Sequence, residues 1–209
     1  MQVVLVVATT VIGYLLGSFP SGYLVGKLWG VDILRHHSGR TGGTNVFRVL
    51  GLLPALLTGV LDLGKGALAV WAAGQISGLP VAEVLAGAAA ILGHNYSFTL
   101  RFRGGAGVGT SLGALCAIYW PAGVGLIILL VLVIAITRYA SVGSLTVLTV
   151  MVLVLLTLSL TGVLASIYIL YGVLAWIIIV NAHRPNIQRL RQGTERRLSS
   201  TKPNPTPNT

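Results

Sequence analysis

The sequence predicts an all-α, polytopic membrane protein: seven transmembrane helices with glycine-rich loops on the cytoplasmic side. Three observations predict it. Of 209 residues, 55% are hydrophobic and only 9% are charged, against roughly 25% charged in soluble domains. The apolar residues gather into runs that match the roughly 20 residues needed to cross a bilayer. Every Lys and Arg except Lys65 falls at junctions that a seven-helix layout places on one side.

The elements follow in order. Val3–Gly26 is the first span, closed by Lys27; it lacks the basic start and small-residue cleavage site of a signal peptide. Val49–Ala73 is the second, interrupted by Asp62 and Lys65, and Pro80–Gly93 opens a third that extends toward Leu100. Ala106–Thr137 is uncharged, and Tyr119-Trp120-Pro121-Ala122-Gly123 within it reads as interfacial aromatics and a turn between two short helices. Tyr139–Ala182 is too long for one span and divides at Ser159-Leu160-Thr161-Gly162. Residues 1–198 form one membrane domain, and the polar, Pro-rich residues 199–209 read as a disordered cytoplasmic tail.

By the positive-inside rule the basic side is cytoplasmic, which puts the N-terminus outside and the C-terminus inside. Reading 106–137 as a single helix would export Arg101 and Arg103, or else Arg138. The net charge of +10 does not signal nucleic acid, because no basic arm or group of stacking aromatics accompanies it. It suits topology and the attraction of anionic headgroups or phosphates. The single Cys116 excludes an internal disulfide. Four carboxylates and four histidines without ligand spacing point to no metal and no cofactor.

Four cytoplasmic features carry chemistry. His37-Ser38-Gly39-Arg40-Thr41-Gly42-Gly43-Thr44-Asn45 leads to Arg48; small residues before a helix N-terminus suit a phosphate, with Thr44 or Asn45 as the cap. Asp62 and Lys65 share one helix face at i, i+3, so they form an ion pair, and charge at that depth marks a functional interior. His94 precedes Gly104-Gly105-Ala106-Gly107-Val108-Gly109-Thr110, which is neither a P-loop nor a dinucleotide fingerprint but again opens a helix. His183-Arg184-Pro185-Asn186 follows the last span, and Arg189–Arg197 reads as a topology anchor.

Taken together, these blocks resemble the bacterial membrane family of acyl-phosphate:glycerol-3-phosphate acyltransferases. The likeness runs from Gly13-Tyr14 through Thr44-Asn45, Arg48, Leu61-Asp62, Lys65-Gly66, Gly93-His94 and the 104–110 run. It continues through Arg138-Tyr139 and Ser141 to His183-Arg184, Asn186-Ile187, Arg189-Leu190, Gly193 and Glu195. The resemblance implies seven helices in the bacterial inner membrane. It also implies transfer of a fatty acyl group from acyl phosphate to the 1-hydroxyl of glycerol-3-phosphate, giving lysophosphatidic acid for phospholipid synthesis. Ser38, Arg48, His183 and Asn186 fall on the family's substrate-phosphate positions; Thr44, Asn45, Gly104, Gly105 and Gly107 line the same pocket. Lys65 joins them, with Asp62 in support. The proton acceptor is His94, His183 or a substrate phosphate oxygen. No covalent intermediate is required.

Two departures stand together, as compensation or as unrelated drift. Ala106 stands where the family's glycine-rich motif has lysine, and Arg40 stands where the first loop usually has asparagine. The expectation is that the Arg40 guanidinium replaces the missing ammonium. The rival readings are a divergent relative that binds phosphate or lipid without catalysis, and a transporter.

Overall fold

The structure, a computed structural model, describes residues 1–198; the tail assigned to 199–209 lies outside them. Among the described residues it is all helical. The helices are α1 (Gln2–Gly17), α2 (Ser21–Leu28), α3 (Gly43–Leu50), α4 (Leu52–Ser77), α5 (Pro80–Asn95) and α6 (Val108–Ile118). They continue with α7 (Trp120–Thr137), α8 (Ala140–Leu160), α9 (Ile167–Ala182) and α10 (Arg184–Arg191).

By length and composition, α1–α2 taken together, α4, α7 and α8 can cross a bilayer, and α9 with α10 forms a pair bent by 62°. At 16 and 11 residues, α5 and α6 are shorter than the roughly 20 residues of a full span. Large apolar side chains face outward along these helices, among them Val60, Val131, Ile136, Leu153 and Ile177. Such a surface requires a lipid environment.

Small residues let the helices approach closely. A β-carbon on Gly13 or Gly17 of α1 would overlap the backbone of Ala86 or Ala90 on α5, and Gly66 and Gly113 play the same part between α4 and α6. Behind these contacts lies a core of Ile91, Leu112, Leu148, Met151 and Ile179. Tyr171 of α9 is fully buried there, and its hydroxyl donates to the Ser111 carbonyl at 2.7 Å.

Several boundaries differ from the sequence expectation. The first span breaks at Ser18-Phe19-Pro20, because proline has no N–H to continue the helix. The second begins at Leu52, not Val49: Gly51, with φ 87°, ends α3 and separates it from α4. Neither Thr44 nor Asn45 caps α3; Gly42 occupies the N-cap and both residues lie within the helix. The division of 106–137 is as expected, with the break at Tyr119. That of 139–182 falls slightly later than expected, between Leu160 and Ile167.

Candidate active site

A cavity of about 450 Å³ opens among the loop before α3, the glycine run before α6, the start of α8 and the α9–α10 junction. Chain segments far apart in sequence meet there. Of the residues expected at the site, Ser38, Arg40, Thr44, Asn45 and Arg48 line it from the first loop and α3. His94, Asp62 and Gly107 line it from below, and His183 and Asn186 from the junction. Lys65, Gly104 and Gly105 do not line it and stand immediately behind it. Leu130 and Ile134 of α7 give one wall an apolar face.

The first loop is held from within. Asn45 Nδ2 donates to the carbonyls of Ile33 (3.3 Å), His36 (3.2 Å) and Arg40 (2.9 Å), while its Oδ1 accepts from the Ser38 amide at 3.3 Å. This buried carboxamide therefore shapes the loop that presents Ser38 and Arg40. The Thr41 amide donates to the Gly104 carbonyl at 3.3 Å, which ties the first loop to the glycine run.

Under the glycine run sits a buried ionic group. Lys65 Nζ lies 2.9 Å from Asp62 Oδ1, 3.0 Å from the Phe19 carbonyl and 2.7 Å from His94 Nδ1. The expected pair at i, i+3 thus exists, and Ser21 donates to the same carboxylate oxygen. Phe19 can accept because the break between α1 and α2 frees its carbonyl. His94 in turn carries the run: its carbonyl accepts from the Gly105 amide at 3.0 Å, and a β-carbon on Gly105 would overlap the imidazole at Nε2. Gly107, with φ 85°, is the N-cap of α6 and brings no side-chain cap, so the first amides of the helix have no intrahelical acceptor.

The opposite wall is organised by Glu195. Its carboxylate accepts from Asn186 Nδ2 (2.7 Å), Ser141 Oγ (2.8 Å) and Arg189 Nε (2.8 Å). Burial would raise its pKa, but these three hydrogen bonds and the Arg189 charge hold it below the usual carboxylate range. His183 Nδ1 donates to the Ile179 carbonyl at 2.9 Å. His37 is lowered from the ordinary imidazole value by burial first, then by the positive charges of Arg48 and Arg196.

Arg40 does not take the part expected of it. Its guanidinium donates to the Ala182 carbonyl and to Asn186 Oδ1 (3.4 Å), and among the described residues none of its hydrogen bonds reaches the 104–107 loop. It shares the cavity with Ala106 but braces the end of α9, whose free carbonyls attract a cation.

Arg189, Glu195, Arg196 and Ser141 also line the cavity and were missing from the expected site. Glu195 had a signal: it is one of only four carboxylates in the chain, set among arginines. Four guanidiniums (Arg40, Arg48, Arg189, Arg196) face two carboxylates (Asp62, Glu195), each already paired with a cation. Arg48 Nε is buried and, among the described residues, without a hydrogen-bond partner.

Comparison with known proteins shows the family of the chain. Residues 7–193 match the family model described as glycerol-3-phosphate acyltransferase. A glycerol-3-phosphate acyltransferase of Synechococcus sp. (strain CC9902) is 42% identical over 188 residues, covering 90% of this chain and 92% of the relative. The enzyme of that name from Thermus thermophilus is 42% identical over 198 residues, covering 91% and 94%. The crystal structure of PlsY (YgiH), an integral membrane glycerol 3-phosphate acyltransferase in its glycerol 3-phosphate form, superposes with a TM-score of 0.83 at 31% identity. It covers 93% of this chain and 96% of that one. Its lysophosphatidic acid form superposes with a TM-score of 0.82. The chain belongs to the glycerol-3-phosphate acyltransferase family.

Proposed function

We propose that the protein transfers a fatty acyl group from acyl phosphate to the 1-hydroxyl of glycerol-3-phosphate, releasing inorganic phosphate and lysophosphatidic acid. One observation carries the reading: a single cavity combines an excess of guanidinium groups with an apolar wall from α7. That pairing suits two phosphorylated reactants, one bearing a hydrocarbon tail.

The glycerol hydroxyl attacks the acyl carbonyl; the new ester C–O bond forms, and the bond to the phosphate oxygen breaks. His183 takes the hydroxyl proton and returns it to the departing phosphate, which restores the neutral ring. Its Nδ1–H is committed to Ile179, so the neutral ring presents a bare Nε2. Arg48, Arg189 and Arg196 offset charge on the phosphates, and Ser38, Thr44 and the amides at the start of α6 add neutral donors. Holding both reactants side by side lowers the barrier by up to about 7–11 kcal/mol in well-oriented cases. Acyl phosphate is already activated, so the reaction proceeds directly between the two substrates.

In the proposed layout of seven spans (α1–α2 together, then α4 to α9 singly, with α5 and α6 as short ones), the cavity faces the cytoplasm of a bacterial cell and the N-terminus lies outside the inner membrane. The distribution of Lys and Arg supports this orientation. The test is purified protein in lipid vesicles, supplied with acyl phosphate and labelled glycerol-3-phosphate. Labelled lysophosphatidic acid and an equal amount of phosphate are expected; folded protein that forms neither overturns the proposal.

A further inference from the structure

We propose that His94 acts as a fixed hydrogen-bond donor, through Nε2–H, to an anionic phosphate oxygen held at the glycine run, and not as the proton acceptor. The inference rests on the proposed function for the identity of its ligand. Its geometry stands apart from that reading.

The tautomer follows from counting protons. An ammonium group has three to give. Lys65 Nζ has three acceptors in reach: Asp62 Oδ1, the Phe19 carbonyl and His94 Nδ1 at 2.7 Å. Asp62 is a carboxylate here, because Ser21 and Lys65 both donate to it. With Lys65 charged, a proton on His94 Nδ1 would set two donors against each other at 2.7 Å. Nδ1 is therefore bare, and the neutral ring carries its proton on Nε2. The 3.3 Å between Nδ1 and Asp62 Oδ1 is the third side of a triangle whose protons sit on the ammonium.

Nε2–H lies against Gly105, where a β-carbon would overlap it, and His94 lines the cavity beside Gly107. Among the described residues no protein acceptor meets it. The ring lines the same cavity as Gly107, Val108 and Gly109 at the start of α6, so a donor on it adds to the loop's capacity for an anion where Ala106 brings no charge. His183 has the opposite tautomer, fixed by Ile179. The two cavity histidines therefore divide the work, one donating and the other accepting. Lys65 and Asp62 are positioning residues that act through His94.

The experiment is nitrogen NMR of the full-length protein in lipid bilayers, with labelled histidine and the His94 signals identified by their loss in His94→Gln. A protonated Nε2 beside an unprotonated Nδ1 is expected, with the Nε2 signal moving on addition of inorganic phosphate and, separately, of glycerol-3-phosphate. A proton on Nδ1 overturns the assignment, and an Nε2 signal that neither compound moves overturns the ligand. Turnover supplies a second arm. The amide of glutamine reaches roughly where Nε2 lies, and that of asparagine only where Nδ1 lies. His94→Gln should therefore exceed His94→Asn in kcat/KM by about 10- to 100-fold, the weight of one hydrogen bond to a charged group. Equal loss in both overturns the donor role. Wild-type protein that lacks turnover altogether removes the proposed function, while the NMR arm still decides the tautomer and the phosphate contact.

Discussion

Asn186 and Glu195 face each other across the turn after α10, with Nδ2 donating to Oε1 at 2.7 Å. The same carboxylate holds Ser141 at the start of α8 and Arg189 on α10. One buried side chain thus fastens α10 to the start of α8. Glu195→Gln keeps one acceptor oxygen but turns an amide toward a donor and removes the charge facing Arg189. Losing a hydrogen bond between charged partners costs about 1.5–3 kcal/mol, and less where one partner is partly exposed, as Arg189 is. The variant should melt several degrees below wild type in detergent and lose affinity for glycerol-3-phosphate. An unchanged melting temperature would show that the clasp is not structural.

The same residue sets an acid limit. Glu195 is held below the ordinary carboxylate pKa by Asn186, Arg189 and Ser141, against the opposing effect of burial. A depressed folded-state pKa stabilises the fold fully above the unfolded value, about 4.3 for glutamate. That stability is lost as pH falls from there through the folded value. Melting temperature measured between about pH 6 and pH 3 should fall in this window for wild type and fall less for Glu195→Gln. Parallel curves would assign the acid lability to other groups.

Much of this architecture is legible in the sequence, and what is hidden has a physical cause. The break at Tyr119 is legible because aromatics and Pro121 interrupt a run too long for one helix. The Asp62–Lys65 pair is legible from its spacing alone. The breaks at Phe19 and Gly51 are hidden, because hydropathy does not fall when the chain stops being helical among apolar neighbours. Glu195 is visible as a rare carboxylate and in the resemblance, but its part in the cavity wall is hidden: it sits in a basic segment that reads as an anchor, and its partner Ser141 lies 54 positions away. Set against the family pattern, Ala106 and Arg40 invite a charge swap, but only the fold reveals that Arg40 is engaged at Ala182 and Asn186.

Arg40 should therefore be intolerant of lysine as well as alanine. The guanidinium reaches a carbonyl and a carboxamide at once, which a single ammonium on a shorter stem does not reproduce. Arg40→Ala should lower kcat/KM by about 10- to 100-fold, equivalent to roughly 1.5–3 kcal/mol. Arg40→Lys should recover less than half of that loss on a logarithmic scale. Full recovery by lysine would mean that charge alone matters at this position, as a replacement for the missing loop cation would require.

Gly105→Ala tests how tightly the glycine run lies on His94. The added methyl has no room beside the imidazole, so the run or the ring must move. Overpacking of this kind costs about 1–3 kcal/mol. Because His94 is anchored by Lys65, the run should yield before the ring. Substrate affinity should then fall more than melting temperature. A large loss of stability with unchanged affinity in the surviving protein would place the strain in the ionic group instead.

The proposed orientation is tested last, by position. The natural Cys116 is replaced by serine, and single cysteines are introduced at Arg40, Gly104 and Pro121. Pro121 lies at the start of α7 and Arg40 and Gly104 flank the cavity, so the two groups lie at opposite ends of α6. In the proposed layout, only the Pro121 end faces outward. A membrane-impermeant thiol reagent applied to intact cells should modify cysteine at 121 and spare 40 and 104 until the membrane is opened. Charge placement is the physical reason: reversing the orientation would export the arginines at 35, 40, 48, 101, 103 and 138 together with those at and after 184. Labelling of 40 and 104 in sealed cells, with 121 protected, would put the cavity on the outer face. It would also separate the enzyme from a cytosolic supply of glycerol-3-phosphate.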